Sequence, residues 1–376
     1  MRIDTGTTID ELKKQGQKIF GYYCCYVPVE LLTAAHIVPY RIMGDPKEQI
    51  SEADSVLESV MCPWVRNSFD QALKGHYSFL DGIIVPHACD AVQRIFSFWK
   101  NYVKLPQNYY FDVPHLISAS SIKFFSQELA NFKKRLEDYI GFVISDDDLR
   151  ASIDTHNENR RLVQELYSLR KPDPPLVSGS EVLQLLRQGL RLPVTEFNQM
   201  LKKAIAEAKE RPLSHNTERP RLIISGCIID DNPFFSLVEE CGAQIVMDDL
   251  PIGTRSFWFH VEPEADLISS LARAYLKGIR CPRTVTGNRI KPYKEELQDR
   301  FGYLMDYAGE FNAKGIILNL LHYCDPHGYD FLDFREYQKQ VGFPFLILDN
   351  DYSASGILWM KTRIDAFLEM LSVRQQ

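Results

Sequence analysis

Short apolar runs, each followed by a helix-patterned stretch and never by a hairpin turn, constrain this chain more than any other feature. The clearest case is Asp81 to Gln93, DGIIVPHACDAVQ. Gly82–Val85 is apolar and β-branched, as a strand buried on both faces must be. Pro86 and His87 end it. Ala91, Ile95, Phe98, Trp99 and Val103 then recur on one face of an amphipathic helix. Cys89-Asp90 is the joint between the two elements. The carboxyl end of a parallel strand is where open α/β sheets take their ligands. The start of a helix favours an anion such as a thiolate.

The pattern recurs. Gly315–Leu321 (GIILNLL) is a second apolar strand, followed by His322-Tyr323-Cys324-Asp325 and a turn at Pro326-His327-Gly328. RLIISG (221–226), AQIVMDDL (243–250) and FPFLILDND (343–351) read as further strands. Helical patterns lie between and after them at 233–242, 267–278, 292–311, 334–342 and 355–371. In the first half the spacing predicts a helix over 8–20, a strand over 21–28 that includes Cys24 and Cys25, a helix opening at Pro28-Val29-Glu30, and a strand over 36–44. Residues 45–60 are acidic and irregular. Cys62-Pro63 opens a helix that Gly75 closes. A strand-like piece at 109–117 precedes two long polar-faced helices, 121–140 and 146–170. KPDPPLVSG (171–179) is a turn-rich break, and helices follow from Ser178 or Ser180 and over 194–210.

Strands alternating with helices imply an α/β fold of two doubly wound parallel-sheet domains, Rossmann or flavodoxin-like. The polar, proline-bounded stretch 211–220 marks the boundary. The expected domains are 1–213, with a helical insert and carrying Cys62 and Cys89, and 214–376, carrying Cys324. Cys-Asp at matching strand ends in the two halves points to two related domains facing each other across one shared site. The 376 residues are enough for two cores.

The net charge of −7, with no basic stripe, argues against nucleic acid as a partner. The first twenty residues carry early acids and no apolar core, so they do not read as a signal peptide. No apolar run approaches the ~18 residues that a membrane span needs. The expected location is the cytoplasm. There the eight cysteines are core residues, metal ligands or redox groups rather than a disulfide framework.

Cys62, Cys89 and Cys324 are too dispersed for a zinc-finger spacing. Free cysteines are most often core residues, but these three all fall at element junctions. Three thiolates on one site favour iron–sulfur over structural zinc, which normally takes four protein ligands. A mixed Cys/His zinc site is a further option. Of the other cysteines, Cys227 follows a strand, Cys241 lies near a helix end, and Cys281-Pro282 is the main spare candidate. His87 lies within three residues of Cys89, and His322 and His327 within three of Cys324, as substrate or sulfur donors or as ordinary loop histidines. Arg255 ends DDLPIGTR and is either a clamp for phosphate or carboxylate or the partner of a nearby Asp. Glu30 is either a pocket acid with a catalytic role or a carboxylate placed on a helix dipole. No P-loop and no GxGxxG is present.

Read together, Pro28-x-Glu30-Leu31-Leu32-x-Ala34-Ala35, Cys62-Pro63, Asp81-Gly82 leading to Cys89-Asp90, Asp248-Asp249-Leu250-x-x-Gly253-x-Arg255, Cys324-Asp325-Pro326 and Thr362-Arg363-x-x-Ala366-Phe367-x-Glu369-Met370-Leu371 resemble the 2-hydroxyacyl-CoA dehydratase / benzoyl-CoA reductase family. Asp148-Leu149-Arg150-Ala151-Ser152 to Asn159-Arg160-Arg161-Leu162-Val163 looks like its smaller, gamma-like benzoyl-CoA reductase subunit. The resemblance implies a [4Fe–4S] cluster between the domains, held by Cys62, Cys89 and Cys324. It implies a larger paralogous cluster-bearing subunit in a heterodimer or larger assembly, a separate ATP-hydrolysing iron–sulfur activator and an acyl-CoA substrate. It further implies low-potential one-electron chemistry through a ketyl-type radical. The outcome would be reduction of an aromatic ring or, in the dehydratases, loss of water. The family does not require the Cys24-Cys25 pair. A reading from another class is a metal-free two-domain protein that closes on a small ligand.

Overall fold

The structure is a computed structural model that describes residues 8–212, 219–230, 232–285 and 291–373. Its first half runs α1 (Ile9–Lys14), β1 (Lys18–Tyr22), α2 (Val29–Ala34), β2 (Ile37–Arg41), α3 (Pro63–Leu73), β3 (Gly82–Pro86), α4 (Asp90–Phe98) and β4 (Gln107–Phe111). Four helices follow: α5 (Ala119–Ile140), α6 (Asp146–Ser168), α7 (Gly179–Gly189) and α8 (Val194–Lys209). The second half runs β5 (Arg221–Gly226), α9 (Asn232–Glu240), β6 (Gln244–Asp249), α10 (Thr254–Phe257), α11 (Leu267–Gly278), α12 (Tyr293–Glu310), β7 (Gly315–Leu321), α13 (Asp325–Val341), β8 (Phe345–Asn350) and α14 (Ala354–Val373).

The strands form two four-stranded sheets, in the orders β2-β1-β3-β4 and β6-β5-β7-β8. Every pairing is parallel. This is the doubly wound α/β architecture expected, with one strand order used twice. β3 and β7 are buried along their whole length, which their unbroken apolar sequence anticipates. In each sheet the chain leaves the first strand on one side and returns on the other. The crevice at that reversal lies between the carboxyl ends of β1 and β3, and of β5 and β7, where ligands bind in such sheets.

Local sequence explains most element ends. Thr8 with Glu11, Ser145 with Asp148 and Ser178 with Glu181 form capping boxes, and each satisfies two free amides at a helix start. Gly226 has φ +134, and a Cβ there would lie 2.0 Å from the Asn319 carbonyl oxygen. Only glycine lets β5 end so close to β7.

Three expectations need correction. The helix over 8–20 stops at Lys14, and β1 takes Lys18–Tyr22. Gly16, at φ +74, turns the chain between them. Cys24 and Cys25 therefore lie past the strand rather than within it, with Cys24 itself left-handed at φ +61. The turn at Pro326-His327-Gly328 is the first turn of α13, which starts nine residues before the helix expected from 334. Proline is tolerated there because a first-turn N–H has no intrahelical acceptor.

The two halves share one core. α6 packs on α2 and α8, α11 of the second half packs on α5, and α7 lies against β6 and α9. Of the expected linker, residues 213–218, and with them the 213/214 boundary, lie outside the described residues. No helix among the described residues is long and apolar enough to cross a membrane.

Candidate functional site

Cys62, Cys89 and Cys324 share one local device: each is the residue immediately before a helix, capping α3, α4 and α13 in turn. Each thiol thus stands at the positive end of a helix dipole. Two helices come from the first half and one from the second. The thiols also share surroundings. Burial pushes Cys62 up to about 12 and Cys89 well above an ordinary thiol, and the charge on Cys324 raises both further. Cys324 is itself raised, first by its hydrogen bond with Cys227 and then by burial. The amides of Trp64 and Val65, of Val92 and of His327 act the other way and favour the thiolates.

Left alone, such a set holds its protons. A bound cation inverts that balance and takes the thiolates as ligands. Among the described residues no three His, Cys, Asp or Glu side chains close on a point fit for one metal ion. A polynuclear cluster makes a different demand, since its thiolates bind separate irons. Three thiols at three helix starts, Cys62 buried and Cys89 and Cys324 partly so, fit that demand.

Further cysteines lie nearby: Cys227 hydrogen-bonds with Cys324, and the charge of Cys24 reaches Cys89. Cys24 and Cys25 follow β1, with their sulfurs 3.9 Å apart, and Cys227 follows β5. The Cys227 Sγ accepts the Leu321 N–H at 3.2 Å. Cys281 precedes α12, and its thiol feels the charge of Cys24. The hydrogen bond from Cys25 pulls the Cys24 thiol down against burial, with Arg41 and Arg283 assisting, while Cys25 is pushed up. Cys241 stands apart, beside Asp365. β1, β3, β5 and β7 are therefore each followed within three residues by a cysteine.

Arg41 was not among the residues singled out from sequence. It is 1% exposed. Its Nη1 donates to the Cys24 carbonyl. Its Nη2 has no acceptor, and no carboxylate pairs with it among the described residues. Arg283 is also buried. It donates to the carbonyls of Val113 and Pro114 and lies over the Tyr26 ring.

The carboxyl edge of the second sheet opens into a cavity of about 410 Å³. Its wall includes Asp249, Arg255, Cys281, Tyr303 and His327, with Lys277 and Arg280 among its other residues. Arg255 is engaged there. Its Nε and Nη2 donate to Asp249 at 3.0 and 2.8 Å, and its Nη1 to the Gly226 carbonyl at 3.1 Å. The same Nη1 lies 3.2 Å from the His327 Nε2. A guanidinium can only donate, so this nitrogen accepts, and burial with Arg255 nearby keeps the ring neutral.

Glu30 is fully buried. Arg160 donates to its Oε1, and the Tyr275 hydroxyl donates to Oε2 at 2.8 Å. Burial alone would raise its pKa, but Arg160 and His156 bring it below the usual carboxylate value. His87 Nδ1 lies 2.9 Å from Asp112, and its ring meets His115 edge-on. Asp230, missed in the sequence, is a buried carboxylate at the boundary of the two halves. It accepts from Trp64 Nε1 at 2.6 Å, the Gly44 amide at 2.9 Å and the Tyr352 hydroxyl at 2.5 Å. Trp64 stands two residues after Cys62, so Asp230 ties the start of α3 to the second half.

The sequence matches the family described as 2-hydroxyglutaryl-CoA dehydratase, D-component, over residues 24–371. It is 32% identical to a subunit of benzoyl-CoA reductase from Thauera aromatica, over 82% of this chain and 79% of that protein. It is 24% identical to the (R)-phenyllactyl-CoA dehydratase beta subunit of Clostridium sporogenes, covering 96% of this chain and 93% of that one. The beta subunit of (R)-2-hydroxyglutaryl-CoA dehydratase from Acidaminococcus fermentans is also 24% identical, over 97% and 95%.

Proposed function

Since the chain belongs to the 2-hydroxyglutaryl-CoA dehydratase D-component family, whose relatives here are enzyme subunits, we propose that it is the [4Fe–4S] subunit of an ATP-activated, low-potential acyl-CoA reductase of the benzoyl-CoA type. The observation that carries this reading is the convergence of three helix-capping cysteines from both halves of the chain. Cys62, Cys89 and Cys324 are the proposed ligands. The cluster, when bound, supplies single low-potential electrons.

This chain's residues do the rest. The three helix starts hold the thiolates, with Cys62 buried and Cys89 and Cys324 partly covered. The 410 Å³ cavity is the proposed pocket for an acyl group, with Tyr303 on its wall and the Arg255–Asp249 pair fixing His327. His87 lies beside the Cys89 helix, where it is proposed to meet substrate with its ring oriented by Asp112. Glu30 has both oxygens committed, so we assign it to joining α2, α6 and α11 rather than to proton transfer. The partners in this reading are a larger paralogous subunit, a separate ATP-hydrolysing iron–sulfur activator and an acyl-CoA, all in the cytoplasm.

The higher identity to a benzoyl-CoA reductase subunit supports the reductase. The alternative, a small subunit of a 2-hydroxyacyl-CoA dehydratase, is favoured by the dehydratase relatives aligning over nearly the whole chain. The test is anaerobic turnover of the chain with its larger paralogue, activator, ATP and a reductant. Conversion of benzoyl-CoA to a diene, abolished by Cys62→Ala, supports the reductase. Dehydration of a 2-hydroxyacyl-CoA alone supports the alternative. Neither reaction, with a small molecule retained by an iron-free chain, would leave the metal-free binding protein.

A further inference from the structure

β2 ends in a cation that meets no anion among the described residues. Arg41 is the last residue of that strand and is 1% exposed. Its backbone N–H donates to the Leu190 carbonyl at 3.0 Å, and its Nη1 donates to the Cys24 carbonyl. Both bonds hold the guanidinium in place, and neither brings it a negative charge. Nη2 has no acceptor and no carboxylate pairs with Arg41 among the described residues. A buried charge left in that state is costly.

Arg41 also lines a cavity of about 60 Å³ where the two halves meet. α6 and α8 contribute Asn159 and Phe197, and α10 and α11 of the second half contribute Phe257 and Tyr275. None of Cys62, Cys89 and Cys324 lines it, so the cavity is separate from the proposed cluster site.

Charge and size together select what the cavity can hold. Two guanidiniums line it, Arg41 and Arg160, and no carboxylate does. Arg160 is answered by Glu30. His156, also on the wall, is kept neutral, because burial lowers its pKa to about 4. One positive charge is left over, at Arg41. The Tyr22 ring lies 5.4 Å from that guanidinium. Burial pushes its phenol up to about 12 against the Arg41 charge, so the hydroxyl keeps a proton to donate. Val27, Val29 and Leu192 make much of the remaining wall apolar, and a charge pair is stronger in such surroundings. The volume is far below the roughly 300–1,000 Å³ of a usual small-molecule pocket. It exceeds the ~30 Å³ that one water takes in the liquid. An acyl-CoA or a nucleotide is excluded on size. A sulfate would bring a second negative charge with nothing to answer it.

We propose that this cavity is a binding site for a small monovalent anion, a halide or a carboxylate the size of formate, held by Arg41 Nη2 with the Tyr22 hydroxyl beside it. The anion neutralises the end of β2 at the seam of the two halves. Because the unfolded chain has no such cavity, the anion stabilises the fold by mass action.

The experiment is a thermal melt of the full chain, prepared anaerobically in sodium gluconate and titrated at fixed ionic strength with sodium chloride, formate or sulfate. In wild type the midpoint is expected to rise and saturate with chloride or formate and to stay level with sulfate. A rise with chloride identifies a halide, and a rise with formate alone identifies a carboxylate. Arg41→Gln is expected to remove the saturating response. Crystals of wild type soaked in sodium bromide, or in formate if only formate raises the midpoint, are expected to show the anion at Arg41 Nη2. That map decides alone if the variant fails to fold. Level midpoints in every salt with no anion at Nη2 would mean that water alone solvates Arg41, and would overturn the proposal. A saturating rise that survives in Arg41→Gln, or bromide found only elsewhere on the molecule, would overturn it too.

Discussion

His156 shows how a single side chain couples this molecule to pH. It is buried on α6, with Nε2 2.8 Å from the Thr33 hydroxyl. Burial, assisted by the Arg160 charge, lowers its pKa from 6.5 to about 4, against the pull of Glu30. Folding therefore strips it of a proton that the unfolded chain binds below pH 6.5. Its contribution is whole above that pH and is lost as the pH falls toward 4, about 3 kcal/mol in all. Urea midpoints at pH 7 and pH 5 should fall more steeply in wild type than in His156→Gln. Equal slopes would contradict this. The neighbouring Glu30–Arg160 pair is a second case. Glu30→Gln leaves a buried guanidinium without its charge partner, and should cost about 3 kcal/mol in a denaturant titration.

At the scale of elements, most of the fold was legible because buried parallel strands are unbroken apolar runs. GIIV and GIILNLL allowed no other reading, and the Cys–helix junctions followed from them. The misreadings have physical causes. β1 is short and begins with Lys18, so it blended into the helix before it, although Gly16 was the available signal for a helix end. α13 was cut short because Gly328 and Pro326 read as a turn, whereas a first-turn proline costs a helix nothing. Arg41 and Asp230 were not legible. Their partners lie far away in sequence, as with Asp230 and Trp64, and no local spacing encodes such contacts. The close approach of β5 to β7 yields a prediction at this scale. Gly226→Ala puts a methyl against the Asn319 carbonyl at positive φ. It should cost at least about 2 kcal/mol and loosen the strand ends that carry Cys227 and Cys324. A thermal melt together with the rate of thiol labelling would show both effects.

At the scale of the whole molecule, two sheets share one topology, and the halves are tied by buried polar contacts as well as by apolar packing. Asp230 is the clearest tie, accepting from Trp64, Gly44 and Tyr352 at once. Asp230→Ala removes the acceptor of the buried Trp64 indole and Gly44 amide and should cost about 3 kcal/mol. Because Trp64 adjoins the Cys62 junction, the same variant should release iron faster to a chelator than wild type does. Unchanged release would place the Cys62 helix outside the reach of this contact.

The central claim is that Cys62, Cys89 and Cys324 hold one iron–sulfur cluster between the two halves. Its most direct test is an anaerobic count of iron and acid-labile sulfide on the purified chain, with wild type beside Cys89→Ala. The account predicts four irons and four sulfides per wild-type chain, as the [4Fe–4S] formula requires, and their loss in a variant that still folds. A folded wild-type chain that binds neither iron nor sulfide would contradict it.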